Sequence, residues 1–345
     1  MKVLHLLTMN TFSGAENVAC QIIHIMKENY NVDSIYCGLE GPIRQSVEEK
    51  GINFIGMKEF TLKEIKRVLA MVKPDIIHAH DMKASFYASL ICGNIPLVCH
   101  VHNNAFDSRK PNLKSILFFR ACKKARKVIW VSESAFEGYA FHKKLKNKSI
   151  VLTNIIDINE LHHKVSMDQN SYAFDVIFLG RLVREKNPLR LINIFAKVVH
   201  NFPNAKLAIV GTGALEQEVK DKVNQLGLSK NVTFFGFQSN PSKILKSSSV
   251  MVMTSLWEGL PMSSLEAMAL GVPIVSTPTD GLKNLIVNDK TGFLSDDDDI
   301  LVKDITSIIR DPLLRDRLSN ECIKESLIIN NTKNYGKKIM DIYKG

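Results

Sequence analysis

Residues 254–276 read TSLWEGLPMSSLEAMALGVPIVS, with two glutamates eight positions apart. Glu258 lies in a Gly/Pro loop and Glu266 in an apolar stretch of helical period. A carboxylate in apolar company is costly unless something pairs with it. Gly259 and Pro261 hold the loop, and a helix is expected to begin near Met262, where its unbonded N–H groups make an anion site. A glycosidase-like carboxylate pair is rejected: such an acid and base flank a sugar bond from separate elements, and no second pair appears. A ribose diol accepts a bidentate carboxylate well, and sugar hydroxyls fit the loop amides. The bland alternative for Glu266 is a solvated carboxylate on a helix surface.

FLGRLVREKNPLRLI (178–192) ends a strand at Gly180 and places Arg181 and Lys186 just before a helix, with Pro188 suited to its first turn. Cations there oppose the helix dipole. They are either solvated side chains or a clamp that closes on an anion together with backbone amides, as a phosphate site requires. AIVGTGALEQEV (208–219) is strand, glycine turn and helix, but Glu216 stands where a dinucleotide fingerprint needs its third glycine. A nicotinamide site is disfavoured against a tight turn at Gly211 and Gly213 that lets backbone approach a nucleotide. In the first half, TFSGAEN (11–17) is a small-residue turn into a helix, a second place for an anion or hydroxyl. His78 and His80, then His100 and His102, form two H-x-H pairs. They invite a zinc-hydrolase reading, but no downstream Asp or Lys pattern completes one. A single histidine, His102, aimed into a cleft is preferred.

Positioning these residues takes two α/β domains. The chain has 345 residues, 45% of them hydrophobic, enough for two ordinary cores and too many for disorder. Short Val/Ile runs alternate with helical periods: KVLHLL, DIIHAH, PLVCHVH, KVIWVS and SIVLTN, then DVIFLG, KLAIVG, NVTFFG, SVMVMTS and VPIVST. Near-continuous apolar strands between helices mean parallel sheets covered on both faces. HKVSMDQNSYA (163–173) reads as a linker, so the expected fold is two Rossmann-like doubly wound domains facing each other across a cleft. The expected boundaries are 1–165 and 166–325, with 326–345 a helix crossing back to the first domain. The aspartate run at 296–299 is expected to cap a helix starting near Ile300 and otherwise to be solvated.

The net charge is +10, and residues 1–165 carry 23 Lys+Arg against 15 Asp+Glu, or +8 of it. That half suits an anionic partner such as a membrane surface, a phosphorylated lipid or nucleic acid. Cys20, Cys37, Cys92, Cys99, Cys122 and Cys322 show no CxxC and read as reduced core thiols of a cytoplasmic protein. The start MKVLHLLTMN is interrupted by His5 and reads as a first strand, not a signal peptide. No run reaches the ~18 apolar residues of a membrane span, so any membrane contact is peripheral.

GRLVREKN, VGTG, FFGF and WEGLPMSSLEAMALGVPIVST, in this order and spacing, resemble the retaining glycosyltransferases of family 4, which have the GT-B fold. SGAEN, HVHN, VSESAFEGY and NIID in the first half fit the same family, so the resemblance covers nearly the whole chain. It implies that Arg181 and Lys186 bind the diphosphate of a nucleotide-sugar donor and that Glu266 holds the ribose. Glu258 and the backbone of Gly259, Leu260, Pro261 and Met262 would touch the donor sugar and phosphate. Phe235, Gly236 and Phe237, with Gly211 and Gly213, would border the base. His102 would face the reacting sugar, and Gly14 would sit under the diphosphate or acceptor. No metal or other cofactor is implied, and UDP is favoured over GDP on family frequency alone. There are departures: Ser13 and Ile155 where glycine is usual, Asn284 where glutamate is frequent, and EKN ending at Asn187 where EKG is common.

The expected reaction is retaining transfer of a hexosyl-type group to a hydroxyl of a glycan acceptor, in bacterial surface-polysaccharide assembly. The acceptor is expected to be polyprenyl-diphosphate-linked, which puts the protein in the cytoplasm, peripheral on the inner face of the plasma membrane. NLKSILFFRACKKARK (112–127) and HKKLKNK (142–148) are the stretches suited to an anionic leaflet, or else ordinary solvated helix surface. The alternatives are a nucleotide-sugar isomerase or epimerase on the same fold, and a nucleic-acid-binding protein. The second has only the basic half in its favour, since no aromatic-rich basic platform accompanies it.

Overall fold

The structure, a computed structural model of the chain, describes residues 1–12, 14–102 and 108–345. Ser13, and Asn103 of the HVHN stretch, lie outside the described residues. In order the elements are β1 (Lys2–Leu6), α1 (Gly14–Tyr30), β2 (Asp33–Leu39), α2 (Ile43–Glu48), β3 (Asn53–Met57), α3 (Leu62–Val72), β4 (Ile76–His80), α4 (Met82–Ile91), β5 (Leu97–Val101) and α5 (Leu113–Lys124). They continue with β6 (Lys127–Trp130), α6 (Glu133–Glu137), α7 (His142–Leu145), β7 (Ser149–Val151), α8 (Ile158–Met167), β8 (Phe174–Leu179), α9 (Pro188–Asn201), β9 (Leu207–Val210), α10 (Glu216–Gln225) and β10 (Val232–Gly236). The last are α11 (Ser242–Lys246), β11 (Ser248–Met253), α12 (Met262–Ala269), β12 (Ile274–Ser276), α13 (Asp280–Lys283), β13 (Gly292–Leu294), α14 (Asp298–Arg310), α15 (Pro312–Ile329) and α16 (Thr332–Lys344).

Among the described residues two parallel sheets form, ordered β3-β2-β1-β4-β5-β6-β7 and β10-β9-β8-β11-β12-β13. The chain divides into two compact units, Met1–Ile155 with Asn331–Gly345, and Ile156–Asn330. The linker reading of 163–173 is corrected: α8 runs through Met167, capped by the Asp157 side chain, which accepts from the Glu160 N–H at 3.0 Å. Its apolar residues Leu161 and Val165 pack in the second unit's core, so the division falls before this helix, ten residues earlier than 165. The C-terminal segment is likewise two helices. Residues 326–329 end α15 in the second unit, and Asn331 caps α16 of the first by accepting from the Asn334 N–H at 2.9 Å.

In the first unit the apolar side chains of β1, β4 and β5 alternate with histidines. Leu4, Leu6, Ile77, Ala79, Cys99 and Val101 pack against α3, α4 and α5. The intervening His5, His78, His80 and His100 face the other way and are buried as well, which is why the runs read as almost continuously apolar. In the second unit Val176, Phe178, Ile209 and Val252 pack toward α9, α10 and α14, while Ile177, Ala208, Met251 and Met253 pack toward α8, α11 and α12. Each fully buried Val, Leu, Ile, Met or Phe side chain among these contributes about 1.5–3 kcal/mol before conformational entropy is counted. The aspartate run does cap α14, through Asp297 to the N–H groups of Asp299 and Ile300. It is not otherwise merely solvated: Asp298 pairs with Arg190 at 2.8 Å and Asp299 with Lys197 at 2.7 Å.

Candidate functional site

In the second sheet β8 and β11 are neighbours, but β9 and β10 lie to one side and β12 and β13 to the other. The loops leaving β8 and β11 therefore diverge, and a crevice opens at the carboxyl ends of those two strands. The loop after β8 carries Gly180, Arg181 and Lys186; the loop after β11 runs from Thr254 to Pro261. The two loops are joined. The Leu256 N–H donates to the Glu185 carbonyl at 2.8 Å. The Thr254 hydroxyl lies 2.9 Å from the Asn187 carbonyl and 3.2 Å from that of Lys186. The Lys186 ammonium pairs with the Glu258 carboxylate, which also accepts from the Ser255 hydroxyl at 2.7 Å. Assigned by the family pattern to phosphate and to sugar, Lys186 and Glu258 are brought into one ion pair, with side chains 16% and 11% exposed. Arg181 is exposed and has no ion pair among the described residues. The EKN departure leaves the backbone intact, because Asn187 takes φ 48°, the left-handed region that asparagine tolerates better than most residues.

Pro261 precedes α12 without a side-chain cap, so the first amides of that helix are free of one. Gly259 and Leu260 are held from below by α13. A Cβ on Gly281 would lie 1.2 Å from the Gly259 carbonyl oxygen, so only glycine fits there. Glu266 sits in the second turn of α12, half-buried, with no side-chain hydrogen bond among the described residues. Burial raises its carboxyl above the ordinary glutamate range; the Lys164 ammonium on α8 opposes this and Glu160 adds to it. The solvated-carboxylate alternative does not describe this residue.

Two groups expected to border a base have other commitments. Gly211 and Gly213 pack on the chain that carries Arg181: added Cβ atoms would stand 2.1 Å from the Gly180 oxygen and 2.3 Å from the Leu182 oxygen. The Leu182 N–H donates to the Thr212 carbonyl and the Leu215 N–H to the Leu182 carbonyl, both at 2.9 Å. These glycines thus seat the Arg181 loop. Phe235 packs its ring against Tyr172 and Phe174, with centroids 5.8 and 5.6 Å away. Gly236 turns the chain with φ 64°, and Phe237 is 70% exposed. A groove of about 810 Å³ between α9 and α14, lined by Lys197, Asp299 and Arg310, contains none of these residues.

In the first sheet the corresponding divergence lies between β1 and β4. Gly14 opens α1 after β1 and is exposed. His80 ends β4, and His102 follows β5. Sequence reasoning singled out His102 and missed its neighbours' arrangement. Side chains two apart on a strand share a face, so His78, His80, His100 and His102 line one face, and His5 joins them through its register with His78. His5 Nδ1 meets His80 Nε2 at 3.0 Å, and His80 Nδ1 meets His102 Nε2 at 2.9 Å. Separately, the Tyr343 hydroxyl of α16 meets His78 Nδ1 at 2.7 Å, and His78 Nε2 meets His100 Nδ1 at 3.2 Å. Burial lowers the pKa of all five; those of His5 and His102 fall to about 3. His5, His78 and His80, or His80, His100 and His102, have nitrogens within 4.8 Å of one another, a metal-like spacing. The closest of these meet at 2.9 and 3.0 Å, spans of N–H···N bonds and shorter than the about 3.4 Å between nitrogens on tetrahedral zinc.

Two doubly wound domains, each with charged or polar side chains at its switch point, define the GT-B class of glycosyltransferase folds. Residues 12–160 match the model of glycosyltransferase family 4, and residues 162–325 that of the glycosyl transferases group 1. The chain belongs to the family 4 glycosyltransferases. It is 26% identical over 383 aligned positions to an Escherichia coli UDP-Gal:alpha-D-GlcNAc-diphosphoundecaprenol alpha-1,3-galactosyltransferase, covering 99% of this chain and 96% of that one. An uncharacterized glycosyltransferase of Methanocaldococcus jannaschii is 32% identical over 237 positions, 62% of this chain and 58% of its own length. Among solved structures, Anabaena HepE in complex with UDP superposes with a TM-score of 0.85 at 20% identity over 99% of both chains. No helix among the described residues is long and apolar enough to cross a membrane.

Proposed function

We propose that the protein is a retaining, metal-independent hexosyltransferase that moves a sugar from a UDP-sugar to a hydroxyl of a lipid-linked glycan in surface-polysaccharide assembly. One observation carries the reading: an exposed arginine with no ion pair among the described residues stands at the β8–β11 switch point beside a Lys–Glu pair, an uncapped helix N-terminus and a half-buried carboxylate with no side-chain hydrogen bond among the described residues. The nature of donor and acceptor is supported by the full-length E. coli relative, whose name gives a UDP-galactose donor and a diphosphoundecaprenol-linked acceptor. A relative from Staphylococcus aureus is a capsular polysaccharide biosynthesis glycosyltransferase, 23% identical and spanning 78% of that protein.

Arg181 and the α12 amides take the diphosphate, with Lys186 held in place by Glu258. Glu266 takes the ribose diol, Phe237 and the Gly236 turn border the base, and His102 meets the transferred sugar. The bond from the sugar C1 to the diphosphate oxygen breaks, and C1 bonds to the acceptor oxygen on the same face. The acceptor proton passes to the departing phosphate. Positive potential fixed where the diphosphate gathers charge supplies most of the rate enhancement. Among the side chains at the β8–β11 crevice, Glu258 is held by Lys186 and Ser255, which argues against its use as a free nucleophile.

Thermal melting with saturating UDP, GDP or NAD tests the donor. A ligand at 100 times its Kd stabilises by about 2.7 kcal/mol, a shift of several degrees. UDP is expected to raise Tm and NAD to leave it unchanged, and Arg181→Ala to remove the UDP shift and lower turnover by orders of magnitude. Stabilisation by NAD alone, or full activity in Arg181→Ala, sinks the proposal.

A further inference from the structure

We propose that His80 is a positioning residue for the transfer reaction: with His5 it forms one hydrogen-bonded string that fixes the tautomer of His102, so that His102 presents its Nδ1 as an N–H donor. This rests on the reading that His102 meets the donor sugar.

The string is His5 Nδ1 to His80 Nε2 at 3.0 Å, then His80 Nδ1 to His102 Nε2 at 2.9 Å. Buried as they are, the three rings are neutral, and a neutral imidazole has one N–H and one bare nitrogen. Two links among three such rings allow only two proton arrangements. In one, His5 donates to His80 and His80 to His102, leaving His5 Nε2 bare and His102 with Nδ1–H. In the other every proton is reversed, leaving His5 with Nε2–H and His102 Nδ1 bare. His80 cannot change its tautomer without changing the other two.

The two free ends decide between them. His5 Nε2 and His102 Nδ1 are both buried and have no hydrogen-bond partner among the described residues. An orphaned buried N–H is rarer in folded proteins than an under-satisfied acceptor. His5 is 0% exposed in the middle of the sheet, whereas His102 is only half-buried and follows the carboxyl end of β5, where ligands of such sheets bind. The proton therefore belongs at the His102 end, where a sugar hydroxyl oxygen can accept it. The second string, Tyr343–His78–His100, shares no hydrogen bond with the first but packs against it, His78 stacked on His80 with centroids 4.2 Å apart and His100 tilted against His102 at 4.0 Å. These ring contacts hold the ring planes, and the hydrogen bonds set the protons.

The full chain labelled with nitrogen-15 histidine provides the direct test, since ring nitrogen shifts separate a protonated from a bare nitrogen; His102→Asn assigns the signal. His102 is expected as a single Nδ1–H tautomer. A single Nε2–H form, or an even mixture, overturns the proposal whether or not any transfer activity is found. His80→Phe keeps the ring and removes both bonds, and is expected to mix the His102 tautomers. With a donor that the wild type turns over, it should also lower kcat by about 10-fold or more without raising donor KM, as loss of a group orienting a functional imidazole does. His80→Asn, whose amide reaches the Nδ1 position, should recover most of the loss, and His100→Phe should change neither quantity. A folded His80→Phe with wild-type kcat, or an equal kcat loss in His100→Phe, overturns the assignment. If His80→Phe does not fold, the wild-type spectrum decides. Absence of transfer from every donor tested indicts the proposed function and leaves the spectrum as judge of the string.

Discussion

Arg181 and Lys186 share a loop and a charge but have different roles in the structure. Lys186 is spent on Glu258, a pair that fastens the β8 loop to the β11 loop, while Arg181 is left with its charge toward solvent. Removing Lys186 strands a mostly buried carboxylate and loosens two loops, whereas removing Arg181 disturbs only the ligand. Glu266 is the reverse case, a half-buried acid whose burial already favours the neutral form. Glu266→Gln should therefore leave the protein as stable as the wild type or slightly more so. It should also raise donor KM about tenfold or more, since hydrogen bonds to a charged group are worth about 1.5–3 kcal/mol. An unchanged donor KM, measured with kcat at several donor concentrations, would remove Glu266 from the site. These residues were legible because each departs from what its local element would otherwise choose: cations before a helix, a carboxylate in an apolar turn. His102 was legible as a strand-end histidine. His5 was not, because its partners come from strands 75 and 97 residues further along, and only the register of β1, β4 and β5 brings them together.

At the scale of elements, legibility followed burial. The strands nearest the centre of each sheet are Val/Ile runs and were located to within a residue or two. β2 (DSIYCGL) mixes Gly, Cys and Ser, β3 (NFIGM) is an edge strand, and β13 has three residues; none carries an apolar run long enough to stand out. α8 passed for a linker because only Leu161 and Val165 are buried in it. The basic stretch at 112–127 resolves into α5, with Leu113 74% and Ile116 40% exposed beside Arg120 and Lys123. An amphipathic helix with bare apolar residues and cations suits docking on an anionic membrane, at about 1 kcal/mol per basic residue near the surface. Not every base there is available. The Lys124 ammonium donates to the Ser89 carbonyl at 2.9 Å, and the Arg126 guanidinium donates to the Tyr343 carbonyl in α16. Lys124 and Arg126 hold the fold together, so the informative variant is Arg120→Glu with Lys123→Glu. It is expected to sediment much less with phosphatidylglycerol vesicles than the wild type, and both proteins should ignore phosphatidylcholine. Equal sedimentation of the two proteins would separate α5 from any membrane role.

For the whole molecule the buried histidines impose an asymmetry between the two domains. His5 and His102 are held at a pKa of about 3, and His78, His80 and His100 also lie well below the ordinary value. In the unfolded chain each returns to about 6.5. Between those limits the unfolded state binds protons that the folded state does not, so stability is fully present above about pH 6.5 and falls as pH falls toward 3. Each histidine fully engaged in that window steepens the loss by about 1.4 kcal/mol per pH unit. Asp81 acts in the opposite sense. Burial raises its carboxyl to about 6 from 3.8, so its contribution is greatest at low pH and is lost as pH rises through 6. One carboxyl in the first domain stands against five imidazoles there, and the histidines dominate. The second domain has no comparable cluster among its described residues, and its raised Glu266 acts in the same sense as Asp81. The two tryptophans separate the domains: Trp130 is buried in the first, and Trp257 is half-buried in the second. In a Trp257→Phe variant, fluorescence-monitored urea unfolding reports the first domain alone. Its midpoint is expected to drop steadily from pH 7 to pH 5, a range in which exposed carboxylates have not yet begun to protonate appreciably. A midpoint that stays level across that range would mean that the histidine strings take up protons while folded, and would overturn both their neutrality and the tautomer logic built on it.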